Sequence, residues 1–83
     1  MPTPFNNQQQ VKVRTALLVF IKGAAAPLVL YFDNPEQIYD EIQMLLKNAT
    51  IKLLEKDTIG PIKKFSVMSN QISAIALQDE QYI

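Results

Sequence analysis

The side chains of this sequence that could do chemistry are carboxylates, lysines and serines, because the chain contains no histidine and no cysteine. Histidine is the usual general base at neutral pH, and cysteine supplies thiolates, disulfides and zinc sites. Asp33, Glu36 and Asp40 are close in sequence and could share a divalent cation. Acidic residues at the start of a helix also stabilise its dipole and bond its free N–H groups, and we favour that structural role here.

The serines and glycines of the chain do not form a recognisable catalytic or nucleotide-binding motif. Ser66, Ser69 and Ser73 lack a base of the usual kind, so we interpret them as turn and strand hydroxyls. Glycine occurs only at Gly23 and Gly60, which excludes a phosphate-cradling glycine-rich loop and a dinucleotide fingerprint. We therefore predict no catalytic residue, no metal site and no cofactor, and we do not expect an enzyme. An enzyme that relies on carboxylates and a metal is the third hypothesis, for which no pocket is evident.

Basic residues offer one alternative function. Lys12 and Arg14 share one face of a predicted strand, and Lys63 and Lys64 are adjacent in another, so a basic strip near an aromatic residue could hold single-stranded nucleic acid. Eight Lys+Arg residues are offset by eight Asp+Glu residues, whereas a nucleic-acid-binding domain usually has a basic excess. Alternating charge on a strand is also typical of a side that faces water. Nucleic-acid binding is thus kept only as the alternative.

Four strands and one helix are predicted to position these residues. The strands are expected at residues 11–22, 26–33, 62–68 and 72–78, each rich in β-forming side chains and bounded by turn residues. Residues 69–71 are expected to form a turn, and residues 50–60 are assigned no strand. The helix starts with Asn34 as cap, Pro35 in the first position and Gln37 at capping-box spacing, and it ends near Lys47 and Asn48. Its apolar stripe is Ile38, Ile42, Leu45 and Leu46.

This order, β-β-α-β-β, predicts an α+β domain with one helix packed on a four-stranded, mostly antiparallel sheet. Residues 11–79 form the single domain, residues 1–10 a flexible N-terminal arm, and residues 80–83 a frayed tail. The apolar stretch 15–32 is interrupted by Lys22, Gly23 and Pro27, so we interpret it as two strands rather than a membrane span. The first ten residues are polar and do not resemble a signal peptide, so we expect a cytoplasmic protein.

The first two predicted strands are apolar on both faces, and one helix can cover only one of them. Something else must cover the second face, and we predict a homodimer that packs through it or pairs edge strands. The expected interface residues are Leu18, Phe20, Val29, Tyr31, Ala24 and Ala25. The alternative is that the N-terminal arm, with Phe5, and the loop 57–60 fold over that face. The small, apolar loop 23–27 either docks in a partner's groove or packs against a neighbouring backbone within the dimer.

Several segments of the chain resemble those of a known family. They are the strand after the first turn, the acidic start of the helix and the two closing stretches: Ala26-Pro27-Leu28-Val29-Leu30, Glu36-Gln37-Ile38-Tyr39-Asp40, Lys63-Lys64-Phe65-Ser66-Val67 and Ser69-Asn70-Gln71-Ile72-Ser73. The pattern resembles a family of small proteins of unknown function from cyanobacteria and plastids, and more distantly an actinobacterial domain. The resemblance implies a compact cytosolic α+β module with no assigned activity or catalytic residue. Our leading hypothesis is a non-enzymatic, homodimeric protein-interaction module, with an unidentified protein as a further partner.

Overall fold

The computed structural model describes residues 12–82, which form one α-helix and five strands in two antiparallel sheets. The strands are β1 (Lys12–Ile21), β2 (Leu28–Leu30), β3 (Leu53–Asp57), β4 (Lys64–Met68) and β5 (Ile72–Tyr82), and the helix is α1 (Pro35–Lys47). A 3-10 turn, Ser69–Gln71, joins β4 to β5. The α+β class is confirmed. The predicted N-terminal arm, residues 1–10, lies outside the described residues.

The larger sheet has the strand order β2-β1-β5, and both pairings are antiparallel. Leu17 lies between Leu30 on one side and Leu77 on the other. The predicted hairpin of the first two strands is present, but β2 has only three residues instead of the expected span 26–33. Pro27 has no N–H to donate to the ladder. Beyond Leu30, Tyr31 instead forms an isolated bridge with Ile59.

The predicted single sheet of four strands is wrong, because β3 and β4 form a separate two-stranded sheet. Residues 50–60 received no strand from the sequence, yet Leu53–Asp57 pairs along its whole length with Lys64–Met68. This strand was missed because it contains three consecutive charged residues, Glu55, Lys56 and Asp57, and such residues are depleted in strands on average. Here the charges face solvent or pair with one another: Lys56 Nζ lies 2.8 Å from Glu41 of α1, and Lys64 Nζ lies 3.7 Å from Asp57.

The last strand is longer than the sequence indicated. β5 continues to Tyr82, whereas the strand was expected to end at Gln78 and residues 80–83 to fray. The extension is paired: Asp79 lies opposite Thr15, and Glu80 lies opposite Arg14. The Thr15 hydroxyl donates a hydrogen bond of 2.8 Å to the Asp79 carboxylate. Cross-strand polar pairs of this kind stabilise strand ends that have no apolar residue to bury.

The helix has the predicted bounds but different caps. The Asn34 side chain makes no capping bond to the backbone and instead donates to the Gln37 side chain at 2.7 Å. At the other end, the Ala49 N–H bonds the Leu46 carbonyl and the Thr50 N–H bonds the Leu45 carbonyl. This is the Schellman pattern, in which glycine normally occupies the left-handed position. Ala49 occupies it here with φ 54°.

The hydrophobic core lies on one face of the larger sheet, which we call the helix-side face. Alternation along the strands turns Leu17, Val19 and Leu30 toward α1 and the β3–β4 pair. The buried cluster comprises Leu17, Val19, Leu30, Ile38, Ile42, Leu54, Phe65 and Ile72. The opposite face, which we call the outer face, carries the alternate residues of the same strands: Arg14, Ala16, Leu18 and Phe20 of β1, Val29 of β2, Tyr31 just beyond it, and Ala74, Ala76, Gln78 and Glu80 of β5. Among them, the small Ala16 is fully buried.

Candidate functional site

The outer face is apolar at its centre. Leu18 pairs with Val29 on one side and with Ala76 on the other, and Phe20 pairs with Ala74. Residues directly opposite in antiparallel strands point to the same face, so these side chains form one patch. Leu18, Phe20 and Val29 are only partly buried, and none belongs to the core cluster or packs against it. The structure thus groups three of the predicted interface residues on the face away from the helix.

A polar cluster borders this patch. Tyr31 donates a hydrogen bond of 2.7 Å from its hydroxyl to the Glu80 carboxylate. The Arg14 guanidinium lies over the Tyr31 ring, 3.9 Å from its centroid, and Arg14 Nε is 3.6 Å from the Glu80 carboxylate. A cation over an aromatic face is attracted by the ring quadrupole, and an exposed example contributes about 0.5–1 kcal/mol. The cluster joins residues from β1, the end of β2 and β5.

The cluster changes the acidity of Tyr31. The pKa of Tyr31 is raised above its ordinary value of 10.0, first because its hydroxyl donates to the Glu80 carboxylate and second because burial disfavours the phenolate. The Arg14 guanidinium acts in the opposite direction. Tyr31 therefore stays protonated at neutral pH and acts as a hydrogen-bond donor. Its ring is engaged within its own chain, which distinguishes it from the other predicted interface residues.

A groove of about 430 Å³ opens beside Tyr31. The loop between β3 and β4 forms one wall, where Gly60 approaches the Tyr31 ring so closely that an added Cβ would lie 3.0 Å from Cδ2. We considered the alternative that loop 57–60 folds over the outer face. In the structure this loop contacts that face next to Tyr31. The groove is lined by Arg14, Thr15, Tyr31, Phe32, Asp33, Pro35, Ile59 and Gly60. Two hydroxyls of this lining, those of Thr15 and Tyr31, donate hydrogen bonds to the Asp79 and Glu80 carboxylates of β5.

The turn between β1 and β2 is exposed. Gly23 takes φ 80°, and the Ala24 N–H bonds the Ile21 carbonyl at 3.1 Å, which closes the turn. Ala24 and Ala25 are both exposed. They lie at one end of the sheet rather than in the outer-face patch, since they follow the last residue of β1. Their predicted part in an interface stays a prediction.

The four residues of the predicted basic strip do not lie on one sheet. Lys12 and Arg14 belong to β1, whereas Lys64 opens β4 in the other sheet and Lys63 precedes it. Arg14 is paired with Glu80, and Lys64 is near Asp57. Neighbouring carboxylates offset these positive charges, which weakens attraction for a phosphate backbone. Nucleic-acid binding stays a prediction.

The acidic residues considered as a cation site are exposed. Asp33, Glu36 and Asp40 all lie at the surface near the start of α1. Across residues 12–82, no three acidic, histidine or cysteine side chains come close enough to hold a metal ion. Glu36 occupies the first turn of α1, where a negative charge stabilises the helix dipole.

Sequence reasoning treated Arg14, Tyr31 and Glu80 separately, as part of a basic strip, an interface and a frayed tail. The structure joins them. The available signal was the match between basic residues at the start of β1 and acidic residues at the end of β5, since antiparallel neighbours place opposite charges across from each other. Ser69 was correctly placed in a turn, and its buried hydroxyl donates to the Thr50 carbonyl at 2.6 Å and accepts from the Lys52 N–H at 2.9 Å.

The chain matches no family model, no curated protein and no solved structure. The resemblance to the cyanobacterial and plastid family therefore stays a prediction. Among the residues that the structure describes, no helix has the length and apolar character needed to cross a membrane.

Proposed function

We propose that this chain is a non-enzymatic, homodimeric protein-interaction module of the cytoplasm, and that its outer face mediates self-association. The observation that carries the proposal is the position of Leu18, Phe20 and Val29 on the outer face. The core residues of α1, β3 and β4 all pack against the helix-side face of the larger sheet. Within residues 12–82, neither the helix nor the second sheet therefore covers these side chains.

Burying the apolar patch of the outer face between two copies is expected to stabilise a dimer. Removing apolar surface from water stabilises an association by roughly 25 cal/mol per Å². In a two-fold interface each residue is used twice, once from each copy, so a small patch contributes double. A chain of 83 residues also buries a smaller fraction of its surface than a larger domain does, so association adds proportionally more stability.

Light scattering coupled to size-exclusion chromatography tests the proposal. The full chain at micromolar concentration is expected to elute with twice its mass of 9.4 kDa, and a monomer mass would overturn it. Leu18→Lys places a charge at the centre of the outer face and is expected to give a monomer. Val13→Lys is the matched control, because Val13 lies on the same strand but on the helix-side face and is 55% exposed.

The control separates loss of the dimer from loss of the fold. Both variants should keep the circular dichroism spectrum of the unchanged chain, and Val13→Lys should stay dimeric. A Leu18→Lys variant that is folded and still dimeric would show that the outer face is not the contact surface.

A further inference from the structure

The outer edge of β5 is a second feature that the proposed function does not use. β5 has eleven residues and pairs only with β1, so it ends the strand order β2-β1-β5 of the described sheet. Along an antiparallel strand with one neighbour, alternate residues direct their N–H and C=O groups away from that neighbour. The free edge of β5 therefore presents a row of backbone donors and acceptors.

This edge has little of the usual protection against strand addition. Natural edge strands carry lysine or proline, are very short, or contain a bulge. The irregularity of β5 is confined to its beginning, where Ile72 and Ala74 pair with β1 and Ser73 does not. β5 contains neither lysine nor proline, and residues 72–78 carry no charge. Its two acidic residues, Asp79 and Glu80, come at its end, and both are engaged by β1 through Thr15 and Arg14.

The charge distribution of β5 favours antiparallel pairing with the β5 strand of a second copy. In that orientation, the acidic end of one strand lies beside the uncharged beginning of the other. A parallel, in-register pair would instead place Asp79 beside Asp79 and Glu80 beside Glu80, and like charges directly opposite destabilise a sheet. Antiparallel pairing of identical strands also has two-fold symmetry, which closes after two copies.

The outer face supplies a second argument, based on side-chain size. Next to the free edge, β5 contributes Gln78 and the small residues Ala74 and Ala76 to the outer face, while the larger Leu18, Phe20 and Val29 lie one and two strands further in. Small residues at a seam allow two twisted sheets to bend toward each other across it. Leu18 and Phe20 of the two copies, on β1 strands about 14 Å apart, then approach each other over the seam.

The size of the apolar patch also requires more than face packing. Three strands about 4.8 Å apart and five residues at about 3.3 Å each span roughly 240 Å² in projection. A stable interface buries about 800 Å² from each partner. Packing of the two outer faces alone falls short of that area, and pairing of the β5 edges adds backbone hydrogen bonds and further buried surface.

Resting on the proposed homodimer, we propose that two copies pair their β5 strands antiparallel along the regular part of the strand, residues 74–78. The two three-stranded sheets become one continuous sheet. Its halves bend so that Leu18 and Phe20 of the two copies approach each other over the alanines of the seam.

Cysteine crosslinking tests the edge contact, because the natural chain has no cysteine. Ile75→Cys and Leu77→Cys place thiols on the helix-side face of β5, opposite Val19 and Leu17. Paired residues of antiparallel strands have Cα atoms about 4.5–5.5 Å apart, within disulfide reach. Outer faces packed against each other leave these two positions separated by more than a sheet spacing of about 10 Å.

Each single-cysteine chain is oxidised alone, which detects a two-fold axis at Ile75 or Leu77, where a residue lies opposite its own copy. A mixture of the two chains is also oxidised, because an axis at Ala76 places Ile75 of one copy opposite Leu77 of the other. Crosslinking should be at least ~100-fold faster than for Val13→Cys, since thiols held together react at an effective millimolar concentration. Val13→Cys is the control on β1, exposed and on the same face. Light scattering and circular dichroism of the reduced chains confirm that each variant is folded and dimeric.

The outcomes separate this inference from the proposed function. Rapid crosslinking at Ile75 or Leu77, alone or in the mixture, supports the edge pairing. A dimer that crosslinks only through Ala76→Cys and Gln78→Cys, or at none of these positions, overturns the edge pairing and leaves the homodimer standing. A monomeric natural chain overturns both.

Discussion

Replacing Ala49 with glycine should stabilise the fold, although it removes a methyl group. Ala49 follows the C-terminal cap of α1 and has φ 54°, and no other non-glycine residue among 12–82 has a positive φ. In that conformation, the Cβ of an L-residue is crowded against the following carbonyl oxygen. Glycine has no Cβ, and the two backbone bonds of Ala49 and Thr50 that close the helix do not depend on a side chain.

The size of the effect follows from two opposing terms. The left-handed conformation costs a non-glycine residue about 1–2 kcal/mol. Glycine is more flexible in the unfolded chain, which costs about 0.4–1 kcal/mol. Ala49 is exposed, so no packing is lost. The net expectation for Ala49→Gly is a stabilisation of about 0.5–1 kcal/mol.

Urea unfolding followed by circular dichroism measures this change. With a slope near 1 kcal/mol per molar for a small domain, the midpoint should rise by roughly 0.5–1 M. The comparison is made at one protein concentration, because association raises apparent stability. Ala24→Gly is the matched control: Ala24 is also exposed but lacks a positive φ, so only the unfolded-state term remains and the midpoint should fall. If Ala49→Gly lowers the midpoint as Ala24→Gly does, the strain argument fails.

Three further predictions concern buried or crowded groups. Ser69→Ala should lower the free energy of unfolding, measured in urea, by about 1–3 kcal/mol, because it leaves the Thr50 carbonyl and the Lys52 N–H without their partner. Ser66 is exposed, so Ser66→Ala should change that free energy little. Gly60→Ala should lower the melting temperature more than Gly23→Ala does. Both glycines have a positive φ, but only at Gly60 would the new Cβ meet the Tyr31 ring, at 3.0 Å. Equal decreases in melting temperature would contradict this contact. The Tyr31 pKa is raised in the folded state, so its contribution to stability is complete below pH 10 and declines as pH rises through the folded pKa. Alkaline ultraviolet titration, with Tyr31→Phe to assign the signal, should show Glu80→Ala lowering that pKa, and an unchanged value would argue against the hydrogen bond as its cause.

The local signals that were strong in the sequence predicted the structure well. Pro35 and the spacing of Ile38 and Ile42 predicted the bounds of α1, because these patterns act within one helix, although the Asn34 side chain bonds Gln37 instead of the backbone. The two-sided apolar pattern of β1 predicted a covered helix-side face and an apolar outer face. Both depend only on neighbours in the chain.

The missed features depend on partners distant in sequence. β3 pairs with β4 rather than with the larger sheet, and β5 extends to Tyr82 because β1 offers Arg14 and Thr15 as partners. Which strands pair is decided by tertiary packing, which local propensity does not encode. The Arg14–Tyr31–Glu80 cluster was missed for the same reason, since each of its members comes from a different segment and only the opposite charges at the ends of β1 and β5 indicated it.

The pairing of β1 with β5 has a consequence for biosynthesis. Thr15 and Asp79, which bond each other, are 64 positions apart. A ribosome releases the first of these strands well before it has translated the second, so a nascent chain can form the opening hairpin and α1 but cannot complete the larger sheet. Closure of this long loop comes last, which makes folding slower than in a helical domain of equal length. Until then, the unpaired flank of β1 is open to chaperones and to other nascent copies.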